Sequence, residues 1–473
     1  MAILSILVFA GLAFGLGLLR APSGRRTALL VLSAASVYLL QPATPLRYAG
    51  FWFPTLSIIL TVLVGLIVRP REAPWRQAFA AAGMLAAVVV AVGLLHFLLP
   101  PGWLASLRPP AWGALVAAIA VPALAVALLR GRPESARWLA AIVVLLLVGI
   151  FVVLKSESLS VGVSSAWRQL SGQSTDLASP IDLTWLGFSY LAFRLLHVLL
   201  DWRAGRLPAL GLGEMATYAL FFPALSAGPI DRAERFVEDL RRAPAITPDD
   251  AREAGRRILL GLVKKFVVAD SLAMIVLQPL GAERVTAGGW LWMMLYAFSF
   301  QLYFDFSGYT DVAIGTARLV GIRLPENFRR PYLQPNLTAF WNSWHMTLTD
   351  WFRAYVFNPL IRYLRSRPRP WPAPAAIFVG QLGLMVLIGL WHGISWSFVI
   401  WGAWHGLGLF IQNRWSAWTR TVGSRISSQP WAAPLLGAGG VLLTFHFVTL
   451  GWVWFTLPDP AQAAQVLGRL FGG

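Results

Sequence analysis

Six histidines and no cysteine delimit the nucleophilic and acid–base chemistry open to this chain. Without cysteine there is no thiolate nucleophile, no disulfide and no Cys-ligated metal. No Ser–His pattern of the elbow type is present, so a covalent serine or thiol mechanism has no support in the sequence. The histidines then divide by their surroundings. His96 ends an apolar stretch beside Pro100 and Pro101 and reads as an interface residue. His197, three residues after Arg194, fits an internal cavity or a hydrogen-bonded packing role equally well. His446 lies between phenylalanines and His405 follows Trp401 and Trp404, so a packed role, hydrogen-bonded for His405, is the simpler reading of both. His345 and His392 have richer settings. The first stands in Phe340-Trp341-Asn342-Ser343-Trp344-His345-Met346-Thr347-Leu348-Thr349-Asp350-Trp351, the second in Gly389-Leu390-Trp391-His392-Gly393-Ile394-Ser395-Trp396. Residues 341–418 carry ten of the 23 tryptophans, interleaved with His, Asn, Ser, Thr and Asp. Tryptophan alone marks membrane interfaces. Alternating with polar groups it describes a polar cavity with aromatic walls. Neutral imidazole in a dry site takes a hydroxyl proton near pH 7, which is general base catalysis. Neither histidine has the paired short spacing of a helical zinc site, which leaves a metal without support.

The elements that must hold these groups are membrane spans. Of the 473 residues 57% are hydrophobic and 13% charged, against about a quarter charged in an ordinary soluble domain. That composition excludes a soluble enzyme, a coiled coil, a disordered chain and a secreted disulfide domain. Ala2 to Leu19 is apolar without a basic start, so it reads as a first span and not as a signal peptide. Further apolar segments run about 27–41, 51–68, 78–99, 111–129, 138–154 and 182–200. A net charge of +18 would suggest nucleic acid in a soluble protein. Here the arginines alternate by loop: Arg20, Arg25 and Arg26, then Arg47 alone, then Arg69, Arg71 and Arg76, then Arg108 alone, then Arg130, Arg132 and Arg137. Odd loops are therefore cytoplasmic, the N-terminus is outside and no nucleic acid is called for. Loop 155–181 is polar and falls outside. Segment 214–227, with Pro223 and Gly228-Pro229, is too short to span and reads as a broken or re-entrant helix. Residues 231–257 hold seven acids and seven bases, and Thr247-Pro248-Asp249-Asp250 has the cap, proline and acidic turn of a helix start. They read as a cytoplasmic helical insert with a solvated face. Spans of about 258–276, 288–304, 375–391, 394–412 and 432–456 follow, with no internal repeat. The expectation is an all-α, multi-pass membrane domain over 1–473.

Four blocks in residues 185–457 resemble the membrane-bound O-acyltransferases, in the bacterial branch of alginate O-acetylation and teichoic acid D-alanylation. They are Leu186-Gly187-Phe188-Ser189-Tyr190 with Phe221-Phe222-Pro223 and Ala227-Gly228-Pro229-Ile230-Asp231-Arg232; Tyr303-Phe304-Asp305-Phe306-Ser307-Gly308-Tyr309-Thr310-Asp311-Val312-Ala313-Ile314-Gly315; Pro325-Glu326-Asn327-Phe328 leading to Trp344-His345; and Leu390-Trp391-His392-Gly393. Their order and the 47-residue separation of the two histidines make the match specific. Residues 1–180 carry no such motif. After Trp452-Val453-Trp454-Phe455 the chain has Thr456-Leu457 where that branch usually has an arginine.

The resemblance implies a multi-helix membrane fold with re-entrant helices and a central tunnel. The donor thioester enters from the cytoplasm and the acyl group leaves outward. His392 maps onto the catalytic histidine and would take a proton from an acceptor hydroxyl as it attacks the thioester. His345, with Asn342 or Trp344, would position substrate and stabilise the oxyanion, and Trp391 and Asp305 join the substrate-binding set. Arg318, Arg323, Arg329, Arg330, Arg353, Arg362 and Arg365 would attract the phosphates of coenzyme A, the positive-inside rule being the simpler account of each. The expected activity is transfer of a short acyl group, acetyl from acetyl-CoA, with no bound cofactor, to an extracytoplasmic polysaccharide or glycan at the inner membrane. An extracytoplasmic acyltransferase is the expected partner. Transfer from a loaded carrier protein, or transport without chemistry, are the alternatives.

Overall fold

The computed structural model describes residues 3–19, 21–98, 133–242, 245–422 and 432–473, with scattered positions between 109 and 126. Segment 111–129 therefore lies largely outside the described residues. Among those described, all regular secondary structure is helical. Two compact units emerge: residues 1–259 with 311–325, and residues 260–310 with 326–473. Among the described residues, five helices are long and apolar enough to cross a membrane: Ala49–Val68, Trp75–Leu95 and Ser135–Lys155 in the first unit, Ala373–His392 and Pro434–Thr456 in the second.

The first unit contains α1 (Ile3–Gly17), α2 (Pro22–Leu39), α3 (Ala49–Val68), α4 (Trp75–Leu98), α5 (Pro133–Lys155), α6 (Glu157–Leu170), α7 (Phe188–Arg203), α8 (Leu212–Leu220), α9 (Ala233–Arg242) and most of α10 (Pro248–Leu262). Polar loop 155–181 is largely helix α6, against expectation, and its polarity is inverted. Ser160, Ser164 and Arg168, four residues apart, are buried, while Leu159, Val163 and Leu170 face out. The reason is Asp182. Its Oδ2 accepts from Ser164 Oγ at 2.6 Å and from Arg168 Nε at 2.9 Å, so the buried charge is paired and hydrogen-bonded. Helix α10 begins where its cap predicts: Thr247 Oγ1 accepts from the Asp250 N–H at 3.1 Å. Charges around it pair among themselves, Arg252 with Asp249, Arg256 with Glu253, Arg318 with Asp250. Exposed pairs of this kind each contribute about 0–1 kcal/mol.

The break expected at 214–227 is present. Helix α8 spans nine residues, about 13 Å, and a 3₁₀ turn, Phe222–Ala224, follows it. Ending a helix inside the protein leaves carbonyls without partners. The buried Arg194 guanidinium supplies them, donating to Ala219 O at 2.9 Å and to Ala224 O. Arg194→Met keeps the stem and removes both bonds. At about 1–3 kcal/mol per unsatisfied buried group, thermal unfolding in detergent should occur well below wild type. A melting curve superimposable on wild type would show that the arginine is not what holds the broken helix. His197 is also structural, accepting from the Ala233 N–H at 3.2 Å.

The second unit holds α11 (Gly288–Leu319) up to residue 310, the short helices α12 (Leu337–Trp341), α13 (Met346–Phe352) and α14 (Asn358–Arg365), the long α15 (Ala373–His392), α16 (Trp396–Val422) and α17 (Ala432–Thr456), and α18 (Pro460–Leu470). Helix α11 runs 32 residues, about 48 Å, well past the expected end at 304. π-helical stretches occur at Val263–Ala269 and Arg353–Phe357. The first is where backbone meets backbone: a Cβ on Gly308 would lie 2.8 Å from Gly261 O and 3.0 Å from Lys265 N. Helices α15 and α16 approach in the same way through Gly402 and Gly406, a small-xxx-small pair on α16. Added Cβ atoms there would sit 2.5 Å from Met385 O and 2.8 Å from Leu382 Cα. In a bilayer, where apolar burial does not drive helices together, the close packing that small residues permit is one source of attraction.

Candidate active site

The glycine contact between α15 and α16 carries the last turn of α15 onto α16, and His392 is that helix's final residue. The half-buried imidazole sits in an aromatic enclosure drawn from three helices. Ring centroids lie 4.4 Å from Trp391, 5.9 Å from Phe398, 5.6 Å from Trp401 and 4.7 Å from Phe455. Gly389, one turn earlier, has no room for a side chain, because its Cβ would fall 2.2 Å from Phe398 O. The enclosure therefore depends on that glycine as well.

His345 reaches the same cluster from another element. It caps α13 in the left-handed region at φ 42, a conformation that outside glycine is found mainly for Asn, Asp and His. Its ring is 4.7 Å from Phe306 on α11 and 5.9 Å from Trp391. Trp391 is thus in ring contact with both histidines, which are 47 positions apart in the chain. The His345 side chain is buried, its Nδ1 lies 3.2 Å from Asn327 Oδ1, and burial pushes its pKa down to about 3, so the ring is neutral at physiological pH.

The other expected site residues are distributed differently. Asn342 is exposed and accepts from Arg353 at 2.5 Å, so it is engaged away from the buried His345 ring. Trp344 is a core residue, stacked on Phe340 and packed against Phe328 and Trp452. Asp305 is held by Lys265, Nζ to Oδ1 2.7 Å, and it is its neighbour Phe306 that touches His345. Two of the seven basic-face arginines also have carboxylate partners, Arg318 with Asp250 and Arg353 with Asp350. His405 is packed, as expected, between Trp341, Trp401 and Phe447, yet neither ring nitrogen has a hydrogen-bond partner among the described residues. His446 is fully engaged, by Tyr296 OH at 2.9 Å and Leu442 O at 2.8 Å. Trp401 and Phe455 were not legible as neighbours of His392, because an apolar residue in a span looks the same in sequence whether it faces lipid or an imidazole; Phe306 had a signal, its place in the 303–315 block. Asn327 had a signal, its place in the Pro325-Glu326-Asn327-Phe328 block.

Comparison with known proteins converges on one group. The model of the family described as MBOAT, membrane-bound O-acyltransferase family, matches residues 136–435. A teichoic acid D-alanyltransferase of Streptococcus thermophilus is 33% identical over 290 residues, 58% of this chain and 68% of that protein. The Bacillus subtilis protein of the same name is 33% identical over 279 residues, 58% of this chain and 69% of its own length. A probable alginate O-acetylase of Pseudomonas putida is 33% identical over 287 residues, 60% of this chain and 55% of that protein.

Proposed function

Because the chain belongs to the membrane-bound O-acyltransferase family and is a multi-pass membrane acyltransferase, we propose that it transfers a short acyl group, acetyl from acetyl-CoA, to an extracytoplasmic polysaccharide or glycan with His392 as general base. The observation that carries this reading is the shared contact of Trp391 with His345 and His392. Two distant polar motifs thereby meet in a water-poor aromatic setting.

In the reaction, His392 takes the proton of the acceptor hydroxyl as its oxygen attacks the thioester carbonyl. The tetrahedral intermediate collapses, the carbon–sulfur bond breaks, and the departing thiolate recovers the proton from the imidazolium. The products are an acyl ester and a free thiol. Holding hydroxyl and thioester in line supplies much of the acceleration, since oriented reactants reach effective molarities of about 10⁵ M and above. The alternating arginine loops support an orientation with the N-terminus outside; cytoplasmic donor entry and outward passage through a tunnel follow from the family resemblance. A polysaccharide-modifying partner outside the membrane would complete the transfer.

The similarity to D-alanyltransferases favours one second reading, donation from a thioester on a carrier protein. Purified protein in nanodiscs, given radiolabelled acetyl-CoA and a glycan acceptor, should release free coenzyme A and label the glycan. Turnover of a carrier-bound thioester with acetyl-CoA inert would establish the second reading. Inactivity toward both thioester classes would remove the proposal.

A further inference from the structure

Asn327 is wholly buried, and its side-chain oxygen is a junction. Oδ1 accepts from the Thr347 backbone N–H at 3.2 Å and from the Thr347 hydroxyl at 2.9 Å, and it lies 3.2 Å from His345 Nδ1. A backbone N–H only donates. The amide atom facing it is therefore the oxygen and not the nitrogen, which fixes the orientation of the amide without ambiguity of flip. An amide oxygen only accepts, so His345 Nδ1 must carry a proton. A neutral imidazole has a single N–H, and Nε2 is left with its lone pair.

That lone pair has no partner. His345 Nε2 is buried and makes no hydrogen bond among the described residues, while the ring around it is held at 4.7 Å by Phe306 and at 5.9 Å by Trp391. The backbone is held too, since the Met346 N–H donates to Asn327 O at 3.0 Å. A buried polar atom without a partner costs about 1–3 kcal/mol; Asn327 Nδ2 beside it is also unpartnered among the described residues, and of the two only His345 Nε2 is an acceptor.

We propose that Asn327 is a positioning residue that locks His345 in its Nδ1–H tautomer, reserving Nε2 as the hydrogen-bond acceptor for an O–H or N–H donor of the substrate. This rests on the reading of the cluster as the reaction centre. It also gives His345 the polarity opposite to oxyanion stabilisation, because a neutral ring in this tautomer has no free N–H to offer. The donor group is either the acceptor's hydroxyl or an amide N–H of the thioester's arm, and kinetics tell them apart: the KM that rises on losing Nε2 is the KM of the substrate that supplies the donor.

Two measurements test the lock. The first is ¹⁵N NMR of histidine-labelled protein in nanodiscs, with the His345 signals assigned by their loss in His345→Gln. Wild type should show a protonated Nδ1 and an unprotonated Nε2. Asn327→Ala should show an Nε2–H population, and Asn327→Asp, which keeps an acceptor oxygen, should not. The second is transfer rate. The amide of a glutamine reaches the Nε2 position and that of an asparagine reaches only Nδ1, so His345→Gln should outperform His345→Asn by about tenfold, the worth of one hydrogen bond. Protonated Nε2 in wild type, or an Asn327→Ala protein without an Nε2–H population, overturns the proposal. The NMR readout does not depend on turnover. Absence of transfer in wild type with an Nδ1–H signal would therefore sink the acyltransfer reading and leave the lock standing.

Discussion

His392→Ala is expected to lower acyl transfer by at least about 10²-fold at matched membrane abundance, the usual worth of an acid–base group. The half-buried imidazole packs against the rings of Trp391 and Phe455, so truncation removes a proton acceptor from an aromatic wall. His392→Asn should be as inactive as alanine, because an amide cannot take a proton at neutral pH. His345→Asn should retain measurable transfer, since asparagine preserves the bond to Asn327 and suits the left-handed backbone at this position. Initial rates at matched abundance decide the assignment. Near-normal transfer by His392→Ala would remove the general-base role, and a dead His345→Asn beside an active His392→Asn would reverse the two roles.

Gly402→Leu should be nearly as damaging although residue 402 touches neither histidine by ring contact. A side chain there meets Met385 O at 2.5 Å and the Val386 Cα at 2.6 Å, both backbone, so α15 and α16 must separate. Overpacking typically costs about 1–3 kcal/mol. The larger effect falls on chemistry: His392 is set against Phe398 and Trp401 by this contact, and a displacement of about 1 Å costs on the order of 10²-fold. Gly437→Leu, on α17 with nothing within 4 Å, is the control and should behave as wild type. Full activity in Gly402→Leu would show that helix spacing does not set the histidine's position.

The sequence by itself determined the class of the molecule. Charge-free apolar stretches can only be membrane helices, the arginine alternation carries the topology reading, and the Pro- and Gly-broken stretch at 214–227 announced a helix that stops inside the protein. The same residues announced the two histidines, because a titratable group in an apolar segment stands out against its background. Tertiary structure decided which of their neighbours matter. Asn342 and Trp344 lie within three positions of His345 in the chain, yet one faces out to Arg353 and the other packs into aromatic core. Asn327, 18 positions away, holds the ring instead. Loop 155–181 misled for a related reason: it read as a polar loop, whereas Ser164 and Arg168 lie on a helix and face the buried Asp182. Composition and periodicity report how polar a position is, whereas the direction in which a side chain points depends on which backbones approach one another. In this protein, glycines at 389, 402 and 406 set that approach for α15 and α16, and the rings of Trp391, Phe398 and Trp401 meet His392 because the two helices come that close.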